Sequence, residues 1–198
     1  MIMEKIQAKK YNFHGVYDLS EKQLKQHEML YENYVQKLNQ VRTLLVEDKD
    51  FAGTNSTFSR LRSLKLAESY TLNGVKLHEL YFENIIGAGK RPYPPLMDAI
   101  VEDFGSVEHF IDKFKAVGMA MRGWAVLVWD PLDEGLHVIG QDAHDEGSTI
   151  GTIPLLVLDV YEHAYMIDYG IAKKEYIDIF IKNINWDVVN VRYLEIFS

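Results

Sequence analysis

DVYEHAY, residues 159–165, is the stretch that decides how this sequence is interpreted. It follows directly on the four apolar residues LLVL at 155–158, so Asp159 stands at the end of a run typical of a buried strand. A charged side chain is seldom left at such a place unless a partner holds it. Glu162 and His163 add a second carboxylate and an imidazole within four residues. The stretch therefore predicts a buried strand that ends among polar partners.

The composition is that of a globular protein, with 198 residues, 47% of them hydrophobic and 25% charged. A net charge of −8 argues against general nucleic-acid binding and against a polybasic membrane anchor, because both depend on clustered Lys and Arg. There is no cysteine, so a transition-metal site would have to use His, Asp and Glu. MIMEKIQAKKYNF, at the N-terminus, has no long apolar segment, and no run of 18 apolar residues occurs. We expect no signal peptide, no membrane span and a cytoplasmic location.

The first half predicts an extended arm of 18 residues followed by two long helices. Ser20 is a candidate N-cap for the first helix, with Gln23 three residues further on. Spacings of three and four place one stripe of residues on a single face of that helix: Leu24, His27, Tyr31, Tyr34, Leu38 and Val41. A second helical pattern covers about 57–86, so the two segments predict a helical hairpin.

The second half has a different character, which begins after the Gly- and Pro-rich stretch GAGKRPYPP at 87–95. Strand-like segments occur at 123–130, 136–140 and 153–159, and helical patterns surround them. The third segment is continuously apolar, which favours a central strand. We predict an α+β protein, with an N-terminal arm and helical hairpin domain at 1–88 and, at 89–198, a C-terminal α+β domain holding a small three-stranded antiparallel sheet.

Three histidines lie in apolar surroundings, although a single helical His is more often a surface residue or a satisfied core residue. His27 is on the stripe of the first helix, His78 is in the apolar stretch LNGVKLHELYF, and His163 follows the third strand. Burying these imidazoles and Asp159 without partners would cost several kcal/mol, whereas one metal ion would satisfy all four. Three nitrogens and one carboxylate oxygen suit Fe, Mn or Zn.

Several motifs resemble the iron/manganese superoxide dismutase family. DVYEHAY is similar to that family's D-x-W-E-H-A-Y signature, with Tyr161 where Trp is usual. HEMLYENYVQKLN at 27–39 and NGVKLHELYF at 73–82 resemble its two ligand helices. RGWAVLVWD resembles its G-W-x-x-L strand, and IKNINWDVVNVRY at 181–193 resembles its terminal motif. The resemblance covers most of the chain and implies disproportionation of superoxide to dioxygen and hydrogen peroxide.

The resemblance also implies a ligand set and an assembly. The metal would be one Fe, which we favour, or one Mn per subunit, with solvent as its fifth ligand and the protein ligands His27, His78, Asp159 and His163. Glu162 would bond His163 of the partner subunit in a homodimer, and a tetramer is an alternative. Met166 stands where the family usually has a Tyr at that interface.

The residue that bonds the metal's solvent ligand has two candidates. Family members use either a Gln or a His before the third strand, and this sequence offers Gln141 and His144. The separation of fifteen residues between His144 and Asp159 is similar to that of the His-type members, so we favour His144. In the family that the sequence resembles, a His at this position favours iron.

The first ligand helix departs from the family pattern. His27 and Tyr34 are seven residues apart where eight are usual, but seven residues is about two turns, so Tyr34 still corresponds to the family's gateway Tyr. Tyr31 stands where the family usually has a His close to the metal ligands. That His usually pairs with a Tyr of the partner subunit, and Met166 stands at the position of that Tyr. The hydrogen-bond bridge between subunits should therefore differ. Three aromatic residues would form a wall around the metal, Phe82, Trp124 and Tyr161.

Two other functions stay open at this point. A non-catalytic structural or interaction protein on the same fold would be marked by lost ligands, and all four are present. A di-iron carboxylate enzyme would need paired E-x-x-H segments, which the long helices do not have. One metal per chain would support the dismutase, two the di-iron site, and none the structural relative.

Overall fold

The helical hairpin and the antiparallel sheet are both present in the computed structural model, which describes residues 4–87 and 91–198. Helices α1 (Glu21–Glu47) and α2 (Arg60–Ile85) form the hairpin, and α3 (Leu96–Phe104) and α4 (Val107–Ala120) follow. Three strands, β1 (Trp124–Asp130), β2 (Gly135–Gln141) and β3 (Ile153–Asp159), precede a 3₁₀ turn at Glu162–Ala164. The chain ends with α5 (Met166–Tyr169), α6 (Lys173–Asn183) and α7 (Trp186–Glu195). The predicted α+β class and its element order are confirmed.

Helix α1 begins where the sequence predicts, since the Ser20 hydroxyl accepts a hydrogen bond of 3.0 Å from the backbone N–H of Gln23. The predicted stripe is buried apart from Tyr34, which is partly buried. Apolar residues of this stripe pack against α2, so the hairpin is held by side-chain burial between its two helices.

The sheet has the order β2-β1-β3 with both pairs antiparallel, so the prediction that the third strand is central is wrong. Strand β3 is apolar from Ile153 to Leu158, and α2 and α7 pack against it. Its outer edge is satisfied by side chains: Asn84 of α2 accepts from the Val157 N–H at 2.8 Å, and Arg192 of α7 donates to the Leu155 carbonyl at 2.8 Å. A continuous apolar run thus reflects burial of the strand, which a covered edge strand shares with a central one.

The N-terminal arm is attached to the first helix by its backbone. The Lys9 N–H donates to the Tyr31 hydroxyl at 2.9 Å, and the Tyr11 N–H donates to the Glu28 carboxylate at 3.1 Å. The described part of the arm has no helix or strand, in line with the predicted extended arm, whose residues 1–3 lie outside the described ranges.

The hydrophobic core runs from the hairpin into the sheet. The predicted domain boundary at 88/89, together with part of the predicted linker, falls outside the described residues, and the division into two domains stays a prediction. None of the helices in 4–87 and 91–198 is long and apolar enough to cross a membrane.

Candidate metal centre

Four side chains from distant parts of the chain meet where the hairpin contacts the end of β3. His27 comes from α1, His78 from α2, Asp159 is the last residue of β3, and His163 lies in the 3₁₀ turn that follows. One potential ligand atom from each of them lies within 4.8 Å of the others. The His27, His78 and Asp159 side chains are at most 1% exposed and that of His163 is 28% exposed.

Asp159 is held in place by bonds to its backbone and to one carboxylate oxygen. Its carbonyl accepts from the Tyr176 hydroxyl at 2.8 Å, and its Oδ1 accepts from the Tyr161 N–H at 2.9 Å. Its Oδ2 faces the imidazoles, at 3.1 Å from His27 Nε2, 3.0 Å from His163 Nε2 and 3.7 Å from His78 Nε2. One carboxylate oxygen is therefore surrounded by three imidazole nitrogens.

The hydrogen bonding of His78 shows which of its ring nitrogens is available to a metal. Its Nδ1–H donates to the Gly74 carbonyl at 2.6 Å, so its Nε2 carries a lone pair. That Nε2 is buried, has no hydrogen-bond partner in 4–87 and 91–198, and faces the Asp159 carboxylate. A buried lone pair beside a carboxylate oxygen is unfavourable unless a cation lies between them.

Burial and mutual charge shift the pKa values in the directions that ligands need. Burial lowers the pKa of His27, partly offset by Asp159, and lowers the pKa of His78 well below its usual value, helped by the nearby His27. Burial alone would raise the pKa of Asp159, but the charge and hydrogen bond of His163, with the hydrogen bond of His27, lower it well below its usual range. Both buried imidazoles are therefore neutral and the carboxylate is ionised near pH 7.

These residues fit a mononuclear transition-metal site. Atoms that each lie about 2.1 Å from one ion can be at most about 4.2 Å apart, close to the observed spread. In the part of the chain that the structure describes, no other group of three or more potential ligands converges. The group holds a single carboxylate, which matches one ion better than the carboxylate-rich pair of a di-iron site.

His144 lies beside the cluster and is fully buried. The indole N–H of Trp124 donates to its Nδ1 at 3.0 Å, so the proton of the neutral ring is on Nε2. That Nε2–H is buried and has no acceptor among the described residues. The His144 ring centroid is 5.7 Å from that of His78. Burial lowers the pKa of His144 to about 4, against an opposing effect of Asp159.

Gln141 has a different position. Its amide N–H donates to the Ser148 hydroxyl at 3.1 Å, and that hydroxyl donates to the His144 carbonyl at 3.1 Å. Gln141 therefore bonds the loop that carries His144, while the His144 ring itself packs against His78.

Four of the aromatic residues predicted around the site lie against its imidazoles. Tyr34 packs against His78 and His144, with ring centroids 5.3 and 4.8 Å away, and Trp124 packs against His78 at 5.1 Å. Phe82 lies 5.0 Å from His27, and Tyr161 stacks on His163 at 5.1 Å. These four rings border the imidazoles of the cluster.

Tyr31 makes its polar contacts away from the cluster. Its hydroxyl accepts from the Lys9 N–H at 2.9 Å and donates to Glu79 at 2.8 Å. Its ring centroid is 6.5 Å from that of His78, farther than that of Tyr34. The polar end of Tyr31 therefore contacts the N-terminal arm.

Sequence reasoning missed several residues that surround the cluster. Gln23 donates to the His163 carbonyl at 2.6 Å and accepts from the Ile167 N–H at 3.1 Å, so it attaches the 3₁₀ turn to α1. Gly74 supplies the carbonyl that orients His78. Gly74 precedes His78 by four residues, and Gln23 precedes His27 by four, so helical spacing from the predicted ligands was the signal that could have found them.

The comparisons with known proteins agree with this centre. The family model "Iron/manganese superoxide dismutases, C-terminal domain" matches residues 92–192. Superoxide dismutase [Fe] of Aquifex pyrophilus is 43% identical over 180 residues, which is 88% of this chain and 84% of the relative. Superoxide dismutase [Fe] of Aquifex aeolicus is 42% identical over 197 residues, 97% and 91% of the two chains. Superoxide dismutase [Mn] of Haloarcula marismortui is 35% identical over 168 residues, 84% and 81% of the two chains.

The fold and the buried His/Asp cluster are those of a metal-binding protein, and the named relatives show that it is an oxidoreductase. The chain belongs to the iron/manganese superoxide dismutase family.

Proposed function

We propose that this protein is a superoxide dismutase in which one iron ion is held by His27, His78, Asp159 and His163. The observation that carries the ligand assignment is the convergence of four buried or half-buried ligand atoms within 4.8 Å, with the lone pair of His78 facing a carboxylate. A bound ion would supply one-electron redox chemistry, by which two superoxide anions and two protons become dioxygen and hydrogen peroxide.

The ligands give the centre a charge suited to an anionic substrate. An imidazole must be deprotonated to bind a metal, so three bound imidazoles and one carboxylate would leave a divalent or trivalent ion with one or two net positive charges. This local field attracts superoxide although the chain as a whole carries −8.

We assign the handling of protons to two side chains. His144 keeps its proton on Nε2 because Trp124 occupies Nδ1, so it can hold an acceptor in the site by a hydrogen bond. Tyr34 borders both His78 and His144, and its burial raises the pKa of the phenol, so the phenol keeps its proton near neutral pH. We assign His144, in preference to Gln141, as the residue that bonds the solvent ligand, and Tyr34 as the proton donor nearest to substrate.

Iron is favoured over manganese on two grounds. The residue assigned beside the solvent ligand is a His, which leans towards iron in this family. The relatives that share 42 and 43% identity are named iron enzymes, whereas the relative named a manganese enzyme shares 35%. Reconstitution of metal-free protein with each metal tests this choice, and an enzyme active only with manganese would contradict it.

The subunit interface is proposed at the segment that follows Asp159. Glu162 and Met166 are exposed in the single chain and flank the half-buried His163. In a homodimer, Glu162 would bond His163 of the partner subunit and orient that imidazole. Sedimentation of the protein and of Glu162→Lys tests this: the variant should sediment as a monomer, whereas an unchanged dimer or tetramer would place the interface elsewhere. A cytoplasmic location is part of the proposal.

The decisive experiment combines metal analysis with a superoxide assay. His78→Ala should lose bound metal and dismutase activity together, while His109→Ala, which removes an exposed imidazole, should keep both. Metal retained by His78→Ala would contradict the ligand set. Metal-loaded wild-type protein with no activity above free ion would contradict the enzyme and favour a structural relative.

A further inference from the structure

His163 lies in a shorter and more exposed element than the other three proposed ligands. His27 and His78 are inside long helices and Asp159 ends a paired strand, whereas His163 belongs to the three-residue 3₁₀ turn Glu162–Ala164. Its side chain is 28% exposed, while those of the other three are at most 1% exposed. The position of this imidazole therefore depends on what holds the turn.

The turn is followed at once by α5, but the two do not form one helix. In a continuous α-helix the His163 carbonyl would accept a hydrogen bond from the Ile167 N–H, four residues further on. Among the backbone hydrogen bonds of residues 4–87 and 91–198, none joins these two groups. Tyr165, between the two elements, has φ −146° and ψ −14°, outside the helical region. The backbone itself thus leaves one carbonyl and one N–H open at this junction.

The side-chain amide of Gln23 bonds both of these groups. Its Nε2 donates to the His163 carbonyl at 2.6 Å, and its Oε1 accepts from the Ile167 N–H at 3.1 Å. Only this orientation of the amide satisfies both, since a carbonyl can only accept and an N–H can only donate. Gln23 is 1% exposed and lies on α1, one turn before His27. A buried amide is therefore inserted where a helical hydrogen bond would otherwise form.

We propose that Gln23 is a positioning residue for the metal centre, whose amide interrupts the helix between His163 and Ile167 and so keeps the His163 imidazole directed at Asp159. The inference rests on the ligand set of the proposed function and deepens it. Without the amide, the two open groups would either lack partners or bond each other directly. A direct bond would extend α5 back through the turn and move the imidazole, whose Nε2 is 3.0 Å from Asp159 Oδ2.

Gln23→Met tests this, because Met has nearly the same length and volume and can make neither bond. We expect the variant to bind Zn²⁺ about 10-fold more weakly than wild type, at the lower end of the range for residues that orient metal ligands. Zinc is the probe because it accepts the same ligand types and has no redox chemistry. Competition with a chelator measures the dissociation constant. A value within about two-fold of wild type would overturn the proposal.

The matched control is Asn183→Leu. Asn183 is also a buried amide that holds a distant backbone segment by two bonds, since it accepts from the Tyr17 N–H and donates to the Tyr17 carbonyl, both at 2.8 Å. The Tyr17 side chain is 65% exposed, and no proposed ligand lies in its segment. Both variants should lower the melting temperature of metal-free protein by about 4–8 °C, but only Gln23→Met should lose zinc affinity. An equal loss of affinity in both would overturn the positioning role, because it would indicate a general loosening of the fold.

Zinc-loaded wild-type protein supplies a test that needs no folded variant. Nuclear magnetic resonance should detect scalar coupling, across the hydrogen bond, between the Gln23 side-chain nitrogen and the His163 carbonyl carbon. Coupling of that carbon to the Ile167 backbone nitrogen instead would show a continuous helix and overturn the proposal. So would the absence of the Gln23 coupling where the backbone hydrogen bonds of α1 give theirs.

The failure of this proposal can be told apart from that of the proposed function. Iron-loaded wild-type protein without dismutase activity, together with weaker zinc binding by Gln23→Met, would contradict the enzyme and support the positioning role. Active wild-type protein with unchanged zinc binding by Gln23→Met would contradict the positioning role alone.

Discussion

The indole N–H of Trp124 donates a hydrogen bond of 3.0 Å to Nδ1 of His144. Because a neutral imidazole carries one proton, this bond fixes that proton on Nε2. Trp124 is the first residue of β1, and Asp159 is its cross-strand neighbour on β3. One strand pair therefore positions both a proposed ligand and the group that sets the tautomer of His144.

Trp124→Phe should lower dismutase activity about 3- to 10-fold, because His144 would be free to place its proton on either nitrogen. Loss of buried volume should also reduce the free energy of unfolding, by about 1–3 kcal/mol. Steady-state kinetics and urea unfolding measure the two effects. Trp129→Phe, at the other end of the same strand, is the control and should affect stability only. Full activity in Trp124→Phe would mean that the tautomer of His144 does not matter.

Gly74→Ala should impair the site more than the fold. A Cβ at this position would lie 3.1 Å from Tyr34 Cδ1 and 3.2 Å from His144 Cδ2, so both rings would have to move by a few tenths of an ångström. Helix propensity favours Ala by about 1 kcal/mol, which offsets part of the crowding. We expect a several-fold loss of kcat with little change in unfolding free energy.

The matched control is Gly118→Ala in α4. Its Cβ would lie 3.0 Å from Leu158 Cδ2 and 3.2 Å from Ile177 Cδ1, so it is crowded by core side chains to a similar degree. This variant should change stability and leave kcat unaltered. Equal losses of kcat in the two variants would show that crowding of the core, and not displacement of Tyr34 or His144, lowers activity.

Metal-free protein should become less stable as the pH falls from 7 to 5, and His144 should account for part of this loss. Its pKa is about 4 in the folded protein and near 6.5 when unfolded, so in this range the unfolded state binds more protons and acid favours unfolding. The difference corresponds to about 2 kcal/mol between pH 7 and 5. Urea unfolding of wild type and His144→Gln at both pH values measures it: the variant should lose about 2 kcal/mol less. An equal loss of unfolding free energy in the two proteins would show that His144 binds the same number of protons in the folded and unfolded states.

The helices and strands could be predicted because their patterns are local. The spacing of three and four along α1 reflects its one buried face, and the continuous apolar runs in β1 and β3 reflect burial of those strands. The position of β3 in the sheet could not be predicted, because its apolar run reports burial. Asn84 and Arg192, which complete its outer edge, are 73 and 37 residues away from the backbone groups they bond.

The surroundings of the metal cluster were less predictable than the cluster itself. His27, His78, Asp159 and His163 stand in motifs that can be read along the chain, and the structure brings the four together. The Gln23 amide, in contrast, donates to the His163 carbonyl across 140 residues. Its place one turn before His27 indicates which way Gln23 faces, but no local pattern indicates the group that it bonds.

Tyr31→Phe separates two roles for that residue. Its place at i+4 from His27 predicts a group that surrounds the metal site, whereas its hydroxyl bonds Lys9 of the arm and Glu79 of α2. If the arm contacts are its main role, the variant should keep its metal and kcat and lose about 1–2 kcal/mol of unfolding free energy, because two hydrogen bonds are removed. Urea unfolding, metal content and kcat are compared with those of Tyr17→Phe, which should match wild type in all three. A reduced kcat at unchanged stability would instead place the Tyr31 hydroxyl in the reaction, since the hydrogen bonds to the arm would then contribute nothing measurable to the fold.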